Sequence, residues 1–330
     1  MELLRLERDP YANDPGHWGA SLAVLADLIC ACLDAAGARS VVEVGAYAGD
    51  LTQVLVDRAA AADGRVWAVD PAPRQPLIDL DGRHPELELV RSTSLDALPR
   101  IPLPDAAIID GDHNYYMVTE ELRLIAAKAA DGALPLLLLH DVCWPHARRD
   151  SYFDPEAIPA EHRRPMSEGV GLYPGEPGVK PGALPYRWAA TREGGEHNGV
   201  LSAVEDFLAD RPELRLAVVP AFFGLGVVWD RRLPWSDAVE ELLAPWDRNS
   251  LLGRLEANRV LHLSSAHFQW TQAIAAQTRL ARQESVLRRL LESSAFTVAE
   301  RLSRLRYRAR IATGQRVVSK AEIRRALADD

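Results

Sequence analysis

Apolar side chains along the first half of this chain recur with two different spacings. Leu22, Leu25, Ile29 and Leu33 lie three and four residues apart, which predicts an amphipathic helix over 18–36. Short apolar runs follow at 41–44, 65–70, 87–91 and 106–110, each reading as a strand. Between them the helical spacing returns, with Leu51, Val54, Leu55 and Ala59 inward over 50–62 and Val118, Leu122 and Ile125 on one face of 115–130. Leu134 to Leu139 is apolar without alternation, as expected of a central parallel strand covered on both faces, with Pro135 tolerable only near its start. This alternation predicts an α/β fold, a doubly wound sheet whose ligand crevice lies at the carboxyl ends of the strands. Asn198 is placed to cap a helix running to about Asp210, and strands at 215–220 and 223–229 with a very short connection close a seven-stranded sheet with a final antiparallel strand.

The pattern changes twice. Residues 143–199 hold eight prolines and several aromatics among arginines and histidines, which reads as a long structureless insertion serving as lid or substrate loop. Beyond Trp235 the chain reads as helical. Thr297-x-x-Glu300 and Ser319-x-x-Glu322 have the form of capping boxes, and Val298, Leu302, Leu305 and Ala309 form an apolar stripe between arginines. The expected division is a domain over 1–235, including the 143–199 insertion, and a C-terminal helical extension over 236–330, which packs on the body or joins copies into a homo-oligomer.

Composition narrows the function. There is no run of 18 apolar residues, and the charged start Met1-Glu2-Leu3-Leu4-Arg5 is unlike a signal peptide, so the expectation is a cytoplasmic protein without a membrane partner. Cys30, Cys32 and Cys143 match neither a disulfide framework nor a zinc site. The net charge of -9 is unevenly placed: residues 277–330 hold thirteen Lys or Arg against six Asp or Glu, near +7, leaving the rest near -16. An acidic body disfavours nucleic acid as a partner and leaves a small molecule as the expected substrate.

The chemistry gathers at strand ends. Val41-Val42-Glu43-Val44-Gly45-Ala46-Tyr47-Ala48-Gly49-Asp50 is a strand followed by a glycine turn that lets backbone approach a ligand before a helix begins. Asp70 ends the second strand, where an acid can accept from both ribose hydroxyls; Arg91-Ser92-Thr93-Ser94 ends the third, Asp110-Gly111-Asp112-His113 the fourth and His140-Asp141 the fifth.

With these motifs in place, residues 17 to about 230 resemble a Rossmann-like class I S-adenosylmethionine-dependent methyltransferase. Ile108 to Tyr115 and Leu139-His140-Asp141 are similar to segments of the small-molecule O-methyltransferases of natural-product and sugar tailoring. The resemblance implies S-adenosylmethionine as cofactor, with Glu43, Gly45 and Gly49 around its methionine part, Asp70 on the ribose, Ser94 at the adenine, and Asp110 between cofactor and substrate. Relatives often hold magnesium between an acid after the fourth strand and an acidic pair after the fifth. Here Asp110, His140 and Asp141 occupy those places, and His140 makes the set less suited to magnesium than to a softer divalent ion.

Two routes to deprotonating a hydroxyl acceptor stay open at this stage: a divalent metal held by Asp110, His140 and Asp141, or direct proton removal by His113 or His140, with Asp141 in the catalytic group. His146, His162 and His197 read as surface residues of the insertion, and the paired Arg148, Arg149, Arg163 and Arg164 as a solvated face, with binding of a substrate carboxylate or phosphate as the alternative. An N-methyltransferase, or a binding or scaffold protein that keeps the fold without transfer activity, is the alternative to O-methyl transfer.

Overall fold

Strands form where the apolar runs predict them. The structure, a computed structural model, describes residues 22–129, 134–309 and 318–327. A 3-10 turn at Leu22–Leu25 leads into α1 (Ala26–Ala35); then come β1 (Ser40–Val44), α2 (Asp50–Ala62), β2 (Arg65–Val69), α3 (Gln75–Asp81), β3 (Leu87–Val90), α4 (Ser94–Ala97), β4 (Ala106–Ile109), α5 (Tyr115–Lys128) and β5 (Leu136–His140). The hairpin β6 (Met166–Leu172) and β7 (Leu184–Ala190) is followed by α6 (Val200–Ala209), β8 (Leu214–Val219) and β9 (Leu225–Asp230). Four helices follow among the described residues: α7 (Ser236–Leu243), α8 (Ser250–Glu292), α9 (Ser294–Arg308) and α10 (Lys320–Ala326).

The seven-stranded sheet has the order β3-β2-β1-β4-β5-β9-β8. The first five strands pair in parallel, and β9 runs antiparallel between β5 and β8. Successive side chains of a strand point to opposite faces, so each strand feeds two cores. Val41, Val66, Ile108, Leu136 and Leu138 pack on one face with Ile29, Leu33, Leu55, Val239 and Leu243. Val42, Val44, Ile109, Leu137 and Leu139 pack on the other with Leu122, Ile125, Val204 and Phe207. Every residue of β5 is buried, as its unbroken apolar run requires, and Pro135 lies just before the strand.

Three local expectations are corrected. The insertion is not structureless: β6 and β7 pair antiparallel along seven residues each. Its pattern escapes a period-two reading because Gly169, Gly171 and Pro185 interrupt it, and Gly171 is required, since a Cβ there would lie 2.2 Å from the Lys180 carbonyl oxygen. Asn198 does not cap α6, whose cap is Gly199; its buried amide instead accepts from the Asp150 N–H and donates to the carbonyls of Arg192 and Gly194. Thr297 lies inside α9, donating its hydroxyl to the Ser293 carbonyl, whereas Ser319 and Glu322 do form the reciprocal capping box of α10.

The chain divides into two compact units, one ending at Phe268 and the other running from Gln269. A boundary at 235 would cut through the first unit, because Val239 and Leu243 of α7 and Val260 of α8 are buried in its cores. Within the second unit Val298, Leu302 and Leu305 are each more than half exposed. Among the described residues no helix is long and apolar enough to cross a membrane. The part of the first helix expected at 18–21 lies outside the described residues.

Candidate active site

Backbone geometry sets the floor of the site. After β1 the chain turns at Gly45, with φ of 87°, where a Cβ would fall 2.0 Å from the Asp110 carbonyl oxygen, so only glycine lets the two strand ends come this close. Gly49, with φ of 89°, caps α2. Asp70, at the end of β2, is buried and accepts from the backbone N–H of Tyr47 at 2.8 Å and of Ala72 at 2.7 Å, which pins the glycine turn from below. Glu43 is buried under the same turn and accepts from the Thr52 hydroxyl at 2.6 Å. Burial pushes its carboxyl up to about 8, against the Thr52 hydrogen bond, so it is largely neutral at pH 7.

A cavity of about 740 Å³ opens at these strand ends. Glu43, Gly45, Asp110, His113, His140 and Asp141 line it, bringing together residues spread over nearly a hundred positions. Gly49, Asp70 and Ser94 lie outside its lining; the Ser94 hydroxyl points inward and donates to Glu121 at 2.5 Å. The insertion forms the opposite wall with His146, Tyr152, Phe153, Tyr186 and Arg187, and Phe223 arrives from the turn before β9.

The acids and imidazoles form one connected group. His140 donates from Nε2 to the Phe222 carbonyl at 2.8 Å, so its Nδ1 faces Asp110 at 2.9 Å and Asp141 at 3.3 Å. Asp141 has a left-handed backbone, φ 61°, and its carboxylate also meets His113 Nδ1. Burial opposes protonation of both imidazoles, but the carboxylates outweigh it. His113 is raised to about 9, mainly by Asp141, and His140 to about 10 by Asp110 and Asp141. Burial would raise Asp141, yet His113 and His140 hold it well below the usual carboxylate range.

His146 is not at the surface as its sequence context suggests. It is buried, with Tyr186 edge-on at 4.7 Å and His113 at 5.1 Å between ring centroids, and burial lowers it to about 3, which keeps it neutral. His162 and His197 stack on Tyr116 and Tyr115 outside the cavity. The four paired arginines are engaged within the protein rather than aimed into the cavity. Arg148 pairs with Glu205, buried Arg149 donates to the Ala190 and Pro177 carbonyls, Arg163 to the Ile158 carbonyl and Glu156, and Arg164 to the His197 carbonyl. Arg187, unremarked in the sequence, is the arginine on the cavity wall, and its side chain forms no hydrogen bond or ion pair with another described residue.

Residues 42–142 match a family model described as a methyltransferase domain, and the match spans the glycine turn, Asp70, Asp110 and the His140-Asp141 pair. The matched segment carries the pattern of a methyltransferase domain. Solved structures similar to it include an S-adenosylhomocysteine-bound methyltransferase of Podospora anserina, 13% identical over 68% of this chain and 82% of that one, with a TM-score of 0.39. A methyltransferase of Geobacter sulfurreducens is 13% identical over 69% and 92%, at 0.36. Human N-acetylserotonin methyltransferase is 11% identical over 63% and 52%, at 0.34. Agreement this loose carries no argument about chemistry. No curated protein sequence matches the chain. The methyltransferase domain match ends at Val142, so the insertion wall and the segment from Phe222 onward, both of which reach its cavity, lie outside it.

Proposed function

We propose that the protein transfers a methyl group from S-adenosylmethionine to a hydroxyl oxygen of a polar small molecule. The observation that carries this reading is the joining of the Gly45 turn and the Asp110–His140–Asp141–His113 group on one cavity. The turn supplies close backbone approach for the cofactor, with Glu43 and Asp70 holding its shape. In the transfer, the acceptor oxygen attacks the methyl carbon in line with the sulfonium sulfur; the carbon–sulfur bond breaks, its electron pair stays on sulfur, and the acceptor proton leaves.

His113, on the cavity lining, is assigned the acceptor proton in that step. Asp141 holds its Nδ1, and the other ring nitrogen is left for the acceptor hydroxyl. In the state described, the proton stays on His113 until the pH approaches about 9, which makes the group an efficient base only at alkaline pH or when its carboxylate partner is shared with another cation. The donor set fits such a cation. With Nε2 committed to Phe222, one His140 nitrogen and carboxylate oxygens of Asp110 and Asp141 lie within 4.8 Å of one another, a mixed nitrogen and oxygen set suited to a transition-series divalent ion. Such an ion, held by these three residues, would supply a positive charge that acidifies the acceptor hydroxyl.

The neutral His146, the aromatic rings of Phe153 and Tyr186 and Arg187 form the acceptor wall, which favours a hydroxylated ring carrying a polar or anionic group, of the kind tailored in natural-product biosynthesis. Titration calorimetry with S-adenosylmethionine tests the proposal: about micromolar binding is expected, lost in Asp70→Ala. Absence of binding heat with well-folded wild-type protein would sink it.

A further inference from the structure

The Glu256–Arg259 pair on α8 looks in sequence like an ordinary i,i+3 pair on a helix surface. Its surroundings say otherwise. The Glu256 side chain is only 10% exposed, and Arg259 grips it through both Nε and Nη2 at 2.7 Å. The same carboxylate accepts the Phe223 backbone N–H at 2.8 Å, while the Arg259 guanidinium lies over the rings of Phe222 and Phe223 at 5.3 and 4.5 Å.

The turn held in this way is under strain. Phe222 and Phe223 have φ of 50° and 69°, values that bulky L-residues avoid, and Gly224 follows at 96° pressed on Cys143, where a Cβ would lie 2.6 Å from Sγ. Such a conformation persists only where its surroundings over-determine it. Val260, one turn further along α8, packs with Phe223 and Leu184, and the Phe223 carbonyl accepts from the Cys143 N–H at 2.7 Å. The Phe222 carbonyl thereby faces His140 Nε2, and that hydrogen bond decides which ring nitrogen of His140 is presented to Asp110 and Asp141.

From this geometry we infer that Glu256 and Arg259 are positioning residues: through the Phe222–Phe223 turn they fix the ring orientation of His140, holding Nε2 at the Phe222 carbonyl and Nδ1 toward Asp110 and Asp141. Its importance for catalysis rests on the methyl-transfer reading; the geometry does not. The first turns of α8 then belong to the working site, although they lie more than a hundred residues beyond the end of the methyltransferase domain match.

The test uses the full-length protein labelled with 15N-histidine, with the His140 signal identified by its loss in His140→Gln. In Glu256→Ala the His140 Nε2–H is expected to exchange with solvent about tenfold faster than in wild type, the loss of one charge-assisted hydrogen bond. Glu256→Gln keeps an acceptor for the Phe223 N–H and should stay within about threefold of wild type. Unchanged His140 exchange in a folded Glu256→Ala protein would overturn the inference, since a pair that merely stabilises α8 would lower the melting temperature without touching this proton. Should Glu256→Ala fail to fold, Arg259→Gln, which leaves the Glu256 carboxylate in place, should speed exchange by about threefold, and no change there overturns it equally. S-adenosylhomocysteine binding, measured alongside, is expected to stay at the wild-type level in Glu256→Gln. Its absence in wild type would count against the methyl-transfer reading while leaving the His140 result intact.

Discussion

Asp141 holds His113 from a left-handed backbone position, φ 61°, immediately after β5. The strand end aims one carboxylate at two imidazoles, His113 and His140, that come from different strands. An acid in a relaxed conformation would follow the strand direction and reach neither as directly.

Replacing that acid should be visible as a titration. In wild type, His113 is expected to titrate at about 9; in Asp141→Asn, burial is left without its largest opponent and the midpoint should fall by at least about one unit. Because the folded pKa lies above the unfolded value of 6.5, the pair stabilises the fold fully below that value, and the contribution fades as pH rises through 9. NMR titration of the His113 ring checks the midpoint; an unmoved value would refute the assignment of Asp141 as its partner.

Glu121 gives the same direction of pH dependence by a different cause. It is fully buried, receives the Ser94 hydroxyl on one oxygen and leaves the other without a partner; burial raises it from 4.5 to about 8. Between those values the folded protein holds a proton that the unfolded chain releases, so stability falls as pH rises through that window. Glu121→Gln removes the ionisable group and keeps an acceptor for Ser94. Urea denaturation should find it near wild type at pH 5 and more stable, by an amount on the order of 4 kcal/mol, near pH 8.5.

Gly45→Ala should damage fold and site together. The added Cβ meets the Asp110 carbonyl at 2.0 Å and the backbone sits at φ 87°, so the two strand ends must separate. A loss of roughly 2–4 kcal/mol in chemical denaturation is expected, with loss of S-adenosylhomocysteine binding under conditions where the variant stays folded. Retained wild-type affinity would show that the turn is not the cofactor floor.

Arg149 and Arg187 should separate cleanly. Arg149 is 1% exposed and donates to carbonyls at two places in the insertion, so Arg149→Met leaves those carbonyls unpaired and should cost about 2–4 kcal/mol of stability. Arg187→Gln should leave the melting temperature near wild type and weaken binding of 3,4-dihydroxybenzoate to the S-adenosylhomocysteine complex by about fivefold relative to its neutral amide. Equal loss for both compounds would remove the anion-binding role of Arg187.

The strands of the large sheet in chain order, the two-sided cover of β5 and the acidic strand ends were all legible in sequence. Each follows from local spacing: short unbroken apolar runs against a spacing of three and four, glycines at a strand end, acids one step beyond an apolar run. Ser319 and Glu322 were legible for the same reason, because a capping box is closed within four residues. Thr297, with the same signature, sits inside α9, because the chain context around Ser293 began that helix earlier.

What depended on contacts between distant segments was decided by tertiary structure. Burial of His146, the commitment of Arg148, Arg149 and Arg164, the hairpin in the insertion and the reach of α8 toward His140 all arise from pairs more than ten residues apart. Local composition is the same for a solvated arginine and for Arg149, and the same for a surface ion pair and for Glu256–Arg259. The sequence alone determined which chemical groups stand at the ends of β1, β2, β4 and β5. Only the packed structure decided which of them share a proton, because a pKa and a hydrogen-bond partner are set by what surrounds a side chain in space.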